Sequence, residues 1–147
     1  MDRTNITITT AGACSGNPGF GGYAAVLRFG NYTKNIVGSA ERTNNNRMEL
    51  KAVIESVKAL KKPCLITIQT DSQYICNGIA NAKEREANNW HTKTGARCAN
   101  FDMWQELSDL KKAGKHRFQY LYVKTTAEGS DSNTCSKLAK EQLNGRA

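Results

Sequence analysis

Residues 9–19 read TTAGACSGNPG and close an alternating run of β-branched residues that predicts a strand over Ile6–Thr10. The small residues that follow predict a turn in which the backbone can approach a ligand closely, because glycine has no Cβ. A ligand site at the end of such a strand usually presents a polar or acidic side chain. This strand presents Ala11 instead. The stretch therefore marks a candidate site whose central position is a methyl group.

The length and composition favour one folded domain over residues 1–147, with a core of ordinary size. The apolar runs are too short to cross a membrane, and the amino terminus lacks the layout of a secretory signal. The five cysteines are scattered, odd in number and never spaced as CxxC, which is typical of free thiols in a reducing compartment. We therefore expect a cytoplasmic monomer that has no membrane partner.

The charge of the chain points to a class of partner. The formal net charge is +8 and the isoelectric point is about 9.4. A basic domain of this size favours a polyanion such as nucleic acid, because its cations release counterions from a phosphate backbone. The alternative is a basic surface that only keeps the protein soluble.

Hydrophobic periodicity predicts the order βββαβα(α)αβα along the chain. The five strands are predicted over Ile6–Thr10, Tyr23–Phe29, Lys34–Ser39, Leu65–Thr70 and Arg117–Val123. The first helix follows N-cap candidates at 43–46, the second runs from Ser72 through about Ala80, and two more lie around Trp104 and Leu138. This order predicts an α/β fold with a mixed five-stranded sheet. An antiparallel meander joins the parallel strands of this sheet, and helices cover both faces.

Two acidic residues fall at the predicted carboxyl edge of the parallel strands, where ligands bind in folds of this kind. Asp71 directly follows the fourth strand, and Glu49 lies near the start of the first helix. Carboxylates held close together raise each other's pKa unless a cation neutralises them, and hard oxygen ligands favour Mg²⁺. Phosphodiester hydrolysis with two metal ions uses such a site, although it needs more than two carboxylates. On spacing alone, a solvated Glu49 and an Asp71 that caps the next helix fit better.

Three sequence blocks resemble the signature blocks of type 1 ribonuclease H. They are GNPG at 16–19 with GGYAA at 21–25, NNRMEL at 45–50, and TDSQY at 70–74. The match continues in register through DMWQ at 102–105 and from 123 to 139, so that it covers nearly the whole chain. The resemblance implies the ribonuclease H-like fold. It also implies a family that cleaves the RNA strand of RNA/DNA hybrids with Mg²⁺ (or Mn²⁺), using an Asp-Glu-Asp-Asp set and a mobile histidine.

Three of the five catalytic positions that the resemblance implies are substituted. Glu49 and Asp71 match the second and third acids, and they are the expected catalytic and metal-binding residues of a weak or single metal site. Ala11 replaces the first acid, Ser136 the fourth, and Thr126 the histidine. The first acid is expected to bridge both metal ions, and a hydroxyl is a poor substitute for a carboxylate toward hydrated Mg²⁺. We therefore expect hydrolysis to be lost or severely reduced.

The residues that would bind nucleic acid match the family better than the catalytic residues do. Asn17, Asn46 and Gln73 would line the minor groove of an RNA/DNA hybrid, where 2′-hydroxyl groups can be reached. Asn44 stands where the family often has a threonine that helps to hold a DNA phosphate. Its amide could donate the same hydrogen bond.

A second part of the nucleic-acid surface is predicted over residues 83–100, which resemble the basic protrusion that some family members use to grip the DNA strand. Trp90, Lys93 and Arg97 are the expected contacts, because an aromatic ring among cations suits stacking together with phosphate neutralisation. The alternative is a plain solvated surface. Trp104 lies at helical spacing and is expected in the core instead.

Three functions stay open at this point. The first is a pseudo-nuclease that binds RNA/DNA hybrid or another duplex. The second is a genuine Mg²⁺-dependent ribonuclease H in which Ala11 is an inactivating change, or in which Asp131 or Glu128 serves as a substitute ligand. The third is a protein-interaction module that keeps the fold for another purpose, since a fold does not fix a function.

Overall fold

The first part of the chain forms an antiparallel meander in the computed structural model, which describes residues 3–124 and 129–144. Two further strands run parallel to the first one. The strands are β1 (Thr4–Cys14), β2 (Gly19–Phe29), β3 (Tyr32–Thr43), β4 (Cys64–Thr70) and β5 (Arg117–Tyr122), and they lie in the order β3-β2-β1-β4-β5. The helices are α1 (Asn45–Lys58), α2 (Gln73–Ala87), α3 (Phe101–Gly114) and α4 (Asp131–Asn144). The predicted mixed five-stranded sheet is confirmed.

Two glycines show that α1 and α4 lie on opposite faces of the sheet. A Cβ on Gly12 would meet the backbone and side chains of α1 within 3 Å, whereas a Cβ on Gly22 would meet Ala139 and Gln142 of α4. Gly22 pairs with Ala13, the neighbour of Gly12 along β1. Because successive residues of a strand point to opposite faces, the two helices must lie on different sides. The predicted placement of helices on both faces is therefore confirmed.

The core forms where the apolar face of α1 meets the sheet. Leu50, Val53 and Ile54 are fully buried, as the spacing of the sequence predicts. They belong to one cluster with the inward residues of β1 and β4, which are Ile6, Ile8, Ile66 and Ile68. The side chain of Trp104 is 4 % exposed, so its predicted place in the core is also confirmed.

Several predicted boundaries are wrong, among them the start of β2 (Gly19, not Tyr23) and both ends of β3 (Tyr32–Thr43, not Lys34–Ser39). The extensions of β1 and α2 result from contacts made far away in sequence. β1 continues past Thr10 to Cys14, since β2 begins at Gly19 and pairs with it as far as Cys14↔Gly21. α2 continues past Ala80 to Ala87, because the polar residues of its second half pack against α3. β5 ends at Tyr122, one residue before the predicted end.

The pairing of β1 creates the open edge of the sheet. β1 pairs with β4 only from Thr4 to Thr9, whereas its pairing with β2 continues through Ala11↔Ala24. Ala11 therefore lies inside β1 but beyond the point where β4 leaves it. The residues next to this divergence are the ones that can face a ligand.

The five cysteines are free thiols, in agreement with their scattered spacing. No helix within residues 3–124 and 129–144 is long and apolar enough to span a bilayer.

His116 accepts a backbone hydrogen bond inside the protein, and this contact predicts a pH dependence of stability. Its Nδ1 accepts from the backbone N–H of Cys64 at 3.1 Å, and the residue is 5 % exposed. Burial, with a smaller effect from Arg3, lowers the pKa of His116 below its ordinary value of 6.5. As pH falls below that ordinary value, the unfolded chain takes up the proton first. The stabilisation that neutral His116 provides is therefore present above pH 6.5 and lost below it.

We expect His116→Asn to flatten this dependence, because Oδ1 of asparagine can accept the same hydrogen bond and does not titrate. Urea denaturation at pH about 7.5 and about 5.5 should show a smaller loss of unfolding free energy for this variant than for the parent. His116→Ala should cost roughly 1–3 kcal/mol at the higher pH, because it leaves the Cys64 N–H unpaired. Equal losses with pH in the parent and His116→Asn would show that His116 is not responsible.

Candidate active site and nucleic-acid interface

Glu49 is the most constrained side chain at the open edge. It lies in the second turn of α1 and is 7 % exposed. Its Oε1 accepts from the backbone N–H of Gly12 at 2.9 Å, and its Oε2 accepts from the hydroxyls of Thr10 and Thr70, each at 3.3 Å. Glu49 thus joins α1 to β1 and β4 at the place where the two strands diverge.

The environment of Glu49 favours its neutral form. Burial raises the pKa of Glu49 from an ordinary 4.5 to about 7, and the negative charge of Asp71 acts in the same direction. The hydrogen bonds from Gly12, Thr10 and Thr70 oppose this shift without cancelling it. A carboxyl group held in this way is close to half protonated at neutral pH.

Asp71 is exposed and directly follows β4, as predicted. It was also a candidate cap for α2, but that role belongs to Ser72, whose hydroxyl accepts from the backbone N–H of Ile75 at 3.2 Å. Asp71 directly follows Thr70, whose hydroxyl donates to Oε2 of Glu49 at 3.3 Å, so the two acids lie near each other. The structure therefore brings together the two carboxylates that the sequence singled out.

Ala11 and Ser136 lie on the two elements that border this edge, β1 and α4, and both are partly buried. The thiol of Cys135 donates to the backbone carbonyl of Thr9 at 3.0 Å. This contact fixes α4 along β1 two residues before Ala11. Thr126, which stands for the missing histidine, lies outside the described residues.

The residues present do not fit a site for two metal ions. Within 3–124 and 129–144, no group of three or more His, Cys, Asp or Glu side chains could hold a metal ion. Both oxygens of Glu49 accept hydrogen bonds from the protein, Ala11 has no ligand atom, and Ser136 offers only a neutral oxygen. Two-metal phosphodiester chemistry requires several carboxylates around ions roughly 3.5–4 Å apart. A single weak Mg²⁺ or Mn²⁺ site at Asp71 and Glu49 stays a prediction.

Asp131 does not fit the role of a substitute ligand. Its two oxygens accept from Nε and Nη2 of Arg28 at 3.0 and 2.9 Å, which ties the start of α4 to β2. This two-point ion pair lowers the pKa of Asp131 and occupies the carboxylate. Glu128, the other substitute considered, lies outside the described residues.

Several of the predicted binding residues line a groove of about 410 Å³. It joins the turn after β1, the start of α1 and the segment before α3, and its lining is Gly16, Asn17, Asn44, Asn45, Asn46, Ala99 and Asn100. Asn44 uses its Oδ1 to cap α1 through the N–H of Arg47 at 2.9 Å, so only its amide nitrogen suits the predicted phosphate contact. Gln73 is exposed at the start of α2 and is not among the lining residues.

Asn100 is the groove residue that the sequence analysis missed. Its Oδ1 accepts from Arg47 at 2.9 Å, and its amide donates to the hydroxyl of Tyr74 at 2.9 Å. Its backbone is left-handed (φ 61°), a conformation that asparagine adopts more easily than most residues. The available signal was an asparagine directly before a periodic helix. That pattern predicts a side-chain cap, and Asn100 makes none.

The protrusion over residues 83–100 begins in the last turns of α2 and continues as a loop to α3. The prediction of an exposed Trp90 is wrong: the residue is 3 % exposed and belongs to the core cluster. Its ring packs inward because Nε1 donates to Oε1 of Gln105 on α3 at 2.8 Å. Lys93 and Arg97 are exposed, and the guanidinium of Arg97 lies 4.0 Å from the ring centre of Phe101. The cations of the protrusion can therefore meet a ligand, but the indole cannot.

The mixed five-stranded sheet, with Glu49 and Asp71 at its open edge, defines the chain as an α/β protein of the ribonuclease H-like fold. The RNase H family profile matches residues 3–144. A ribonuclease H of Chlorobium chlorochromatii is 41 % identical over 143 residues, which are 96 % of this chain and 97 % of that protein. One from Thermoanaerobacter sp. (strain X514) is 44 % identical over 140 residues, covering 94 % of this chain and 89 % of that protein. The chain belongs to the RNase H family.

Solved structures agree with this fold. LC9-RNase H1, a type 1 RNase H with the type 2 active-site motif, superimposes with a TM-score of 0.84 at 21 % identity, covering all of this chain and 75 % of that one. LC11-RNase H1 in complex with RNA/DNA hybrid gives a TM-score of 0.65 at 16 % identity, covering 95 % of this chain and 96 % of that one. RNase H enzymes generally depend on divalent metals. The donor set of this chain departs from that pattern at Ala11 and Ser136.

We expect Glu49→Gln to stabilise the protein above neutral pH. The unfolded chain releases the Glu49 proton near pH 4.5, whereas the folded chain keeps it to about 7. The stabilisation from protonated Glu49 is therefore full below pH 4.5 and is lost as pH rises to about 7. Glutamine resembles the protonated acid, accepts from Gly12 and donates to the threonine hydroxyls.

The expected gain is roughly 1–3 kcal/mol of unfolding free energy at pH about 8, shrinking toward zero near pH 4.5. Urea denaturation across this range measures it. Glu55→Gln, which neutralises a carboxylate paired with Lys51 and Lys58 on the same helix, is the matched control and should give no such gain. Destabilisation of Glu49→Gln at pH 8 would show that Glu49 is held as a carboxylate.

Proposed function

We propose that the protein binds RNA/DNA hybrid through the asparagine-lined groove and the basic protrusion, and that its hydrolysis of the RNA strand is lost or severely reduced. The observation that carries this proposal is the contrast at the sheet edge. The groove keeps its amides, whereas Ala11 and Ser136 supply no carboxylate where the family resemblance implies two. Support for duplex binding also comes from LC11-RNase H1, a protein of the same fold that was solved with RNA/DNA hybrid.

The groove suits a hybrid because amides can both donate and accept hydrogen bonds. The minor groove of such a duplex displays 2′-hydroxyl groups, which do the same, so that asparagines can read them without a charge. The protrusion adds the cations Lys93 and Arg97, together with the imidazole of His91, next to this surface, where phosphates of a bound strand would pass. Amide readout and phosphate neutralisation together support binding of a duplex rather than of a small molecule.

Hydrolysis of the RNA strand is the second candidate, and the names of the relatives favour it over loss of activity. Proteins 41 % and 44 % identical over nearly the whole chain are ribonucleases H. The chain would then have to cleave with Glu49 and Asp71 and with groups outside the described residues. The described residues at the sheet edge argue against cleavage, because they include no group of three or more side chains that could hold a metal ion. Cleavage by the parent chain separates the two candidates directly.

We expect no cleavage of a labelled RNA/DNA hybrid by the parent chain with Mg²⁺ or Mn²⁺, and weak cleavage by Ala11→Asp. The double variant Ala11→Asp/Ser136→Asp should cleave at a rate at least about 100-fold above the detection limit that bounds the parent. It restores two carboxylate ligands, and loss of a group that only supports a ligand already costs roughly 10–100-fold. Thr126 should keep even this variant below a complete enzyme, since general acid/base help contributes about 10²–10⁴-fold. Robust cleavage by the parent chain would establish the second candidate instead.

We also expect the affinity of the parent for hybrid to change less than about threefold between excess Mg²⁺ and EDTA at matched ionic strength. Four clustered carboxylates repel a phosphodiester unless metals neutralise them, whereas Glu49 and Asp71 alone repel it less. Fluorescence anisotropy with a labelled hybrid measures this. The matched control is Ala11→Asp/Ser136→Asp, whose affinity should fall clearly on chelation. An equal fall for both proteins would contradict the argument.

A further inference from the structure

Trp90 anchors the loop that carries the exposed cations of the protrusion. Its backbone N–H donates to the carbonyl of Arg85 at 2.7 Å, and its carbonyl accepts from the N–H of Cys98 at 2.6 Å. Residues 91–97, here called the basic loop, therefore leave and rejoin the protein at this one residue. Asn89 and Trp90 are both left-handed, with φ of 53° and 61°. A left-handed backbone is uncommon for a bulky residue such as tryptophan, so contacts of Trp90 must hold the turn.

Gln105 of α3 supplies the polar contact that holds Trp90. The indole Nε1 donates to Oε1 of Gln105 at 2.8 Å. The amide nitrogen of Gln105 donates to Oε2 of Glu86 at 2.8 Å and to Oδ1 of Asp109 at 3.0 Å. Because carboxylates only accept, these two acids orient the amide so that its oxygen faces the indole. Any reversal of the amide would leave the buried indole N–H without its acceptor, which is unfavourable.

Glu86 is in turn fixed on α2. It accepts from the hydroxyl of Ser108 at 2.8 Å and from Lys112 at 3.0 Å through both oxygens. The contact with Lys112, followed by that with Gln105, lowers the pKa of Glu86, so the carboxylate stays charged. The pair Glu86–Gln105 therefore links the end of α2 and the middle of α3 to the turn at Trp90. No member of this pair lies in the basic loop itself.

The basic loop carries charge but no acid of its own. His91, Lys93 and Arg97 are exposed, and residues 88–100 include no Asp or Glu. Within the loop, the N–H of Thr92 donates to the carbonyl of Ala96 at 2.7 Å. The backbones of His91 and Arg97 form an isolated antiparallel β-bridge. The loop is thus internally ordered, and its direction depends on its attachment at Trp90. Whatever fixes Trp90 therefore also fixes the backbone that carries His91 and Lys93, whereas Arg97 is held in addition by the ring of Phe101 at 4.0 Å.

We propose that Gln105 is a positioning residue for nucleic-acid binding: through the indole of Trp90 it holds the basic loop so that His91, Lys93 and Arg97 can meet phosphates together. This role rests on the proposed binding of RNA/DNA hybrid. Gln105 does not itself touch the ligand. Its replacement should therefore reduce the number of phosphates that the protein neutralises and leave the asparagine-lined groove intact.

The test exchanges the two side chains of the pair. Gln105→Glu places a carboxylate against Glu86 and Asp109 and removes the donor between them. The double variant Gln105→Glu/Glu86→Gln restores a donor, because the new amide on α2 can donate to the new carboxylate on α3, which still accepts from Trp90. This swap has the same net charge as the parent. Gln119→Glu on β5 is the matched control, since it adds the same charge at an exposed site outside the loop.

Two readouts are measured for each protein: amide hydrogen exchange in the free state, and hybrid affinity by anisotropy as a function of salt. We expect Gln105→Glu to raise exchange at the amides of Thr92 and Cys98 at least about tenfold, because their hydrogen bonds close the loop. The slope of log affinity against log salt should fall by about 1–2, one unit for each phosphate that the loop no longer neutralises. The swap should recover most of both effects, reduced slightly by the repulsion between its new carboxylate and Asp109.

The outcomes separate this proposal from the proposed function. If the parent binds hybrid and Gln105→Glu gives the same exchange and salt slope as Gln119→Glu, the positioning role is overturned and the hybrid-binding function stands. Failure of the swap to recover any of the slope would also overturn it, because the swap restores a donor for residue 105 at the net charge of the parent and gives up only the ion pair of Glu86 with Lys112. A parent protein with no affinity for hybrid would overturn both the proposed function and the role that depends on it.

Discussion

The hydrogen bonds of Glu49 are the constraint on which the rest of the structure depends. One carboxyl group accepts from the backbone of Gly12 on β1, and from hydroxyls on β1 and β4. These contacts fix α1 over the sheet at the point where the two parallel strands separate. The close approach of α1 to Gly12 leaves no room for a Cβ there, so the residue beside Ala11 must be glycine. The carboxyl group thus serves the fold as well as the site.

This double role explains why Glu49 differs from an ordinary metal ligand. A carboxyl group buried among hydroxyls and a backbone N–H has its charge desolvated, and Asp71 repels what charge remains. In a site with more cations or bound metal, that repulsion would be compensated. In the part of the chain that the structure describes, the hydrogen bonds from Gly12, Thr10 and Thr70 oppose the shift. The same residue therefore marks the family resemblance by its position and has a pKa of about 7 because of its surroundings.

The fold was largely predictable from the sequence because its signals are local or belong to the family. The apolar face of α1, the buried strand β4 and the turn between β2 and β3 each show the period or turn residues of their element. The end of β1 was not predictable in this way, since Ala11 to Cys14 have weak strand preference and are held by pairing with β2. The length of α2 depended likewise on partners in α3.

The candidate site was predictable in its members but not in its geometry. The resemblance identified Glu49, Asp71 and the asparagines, and the structure brings them to one edge and one groove. Trp90 was misplaced because a tryptophan among cations is equally consistent with stacking outward and with packing inward. The ring packs inward because its N–H donates to Gln105, which lies fifteen positions later in the chain. Asn100 was missed because its left-handed backbone replaces the cap that its position suggests.

The groove and the carboxylate edge are built from different residues, and this separation has an evolutionary meaning. The asparagines are positioned by the cap of α1, the turn after β1 and the contacts of Asn100. None of these contacts involves residue 11 or 136. Selection that acts on duplex recognition alone would therefore not oppose substitutions at those two positions. A scaffold arranged in this way can lose its chemistry one codon at a time, and can regain it by the same route, while recognition is preserved throughout.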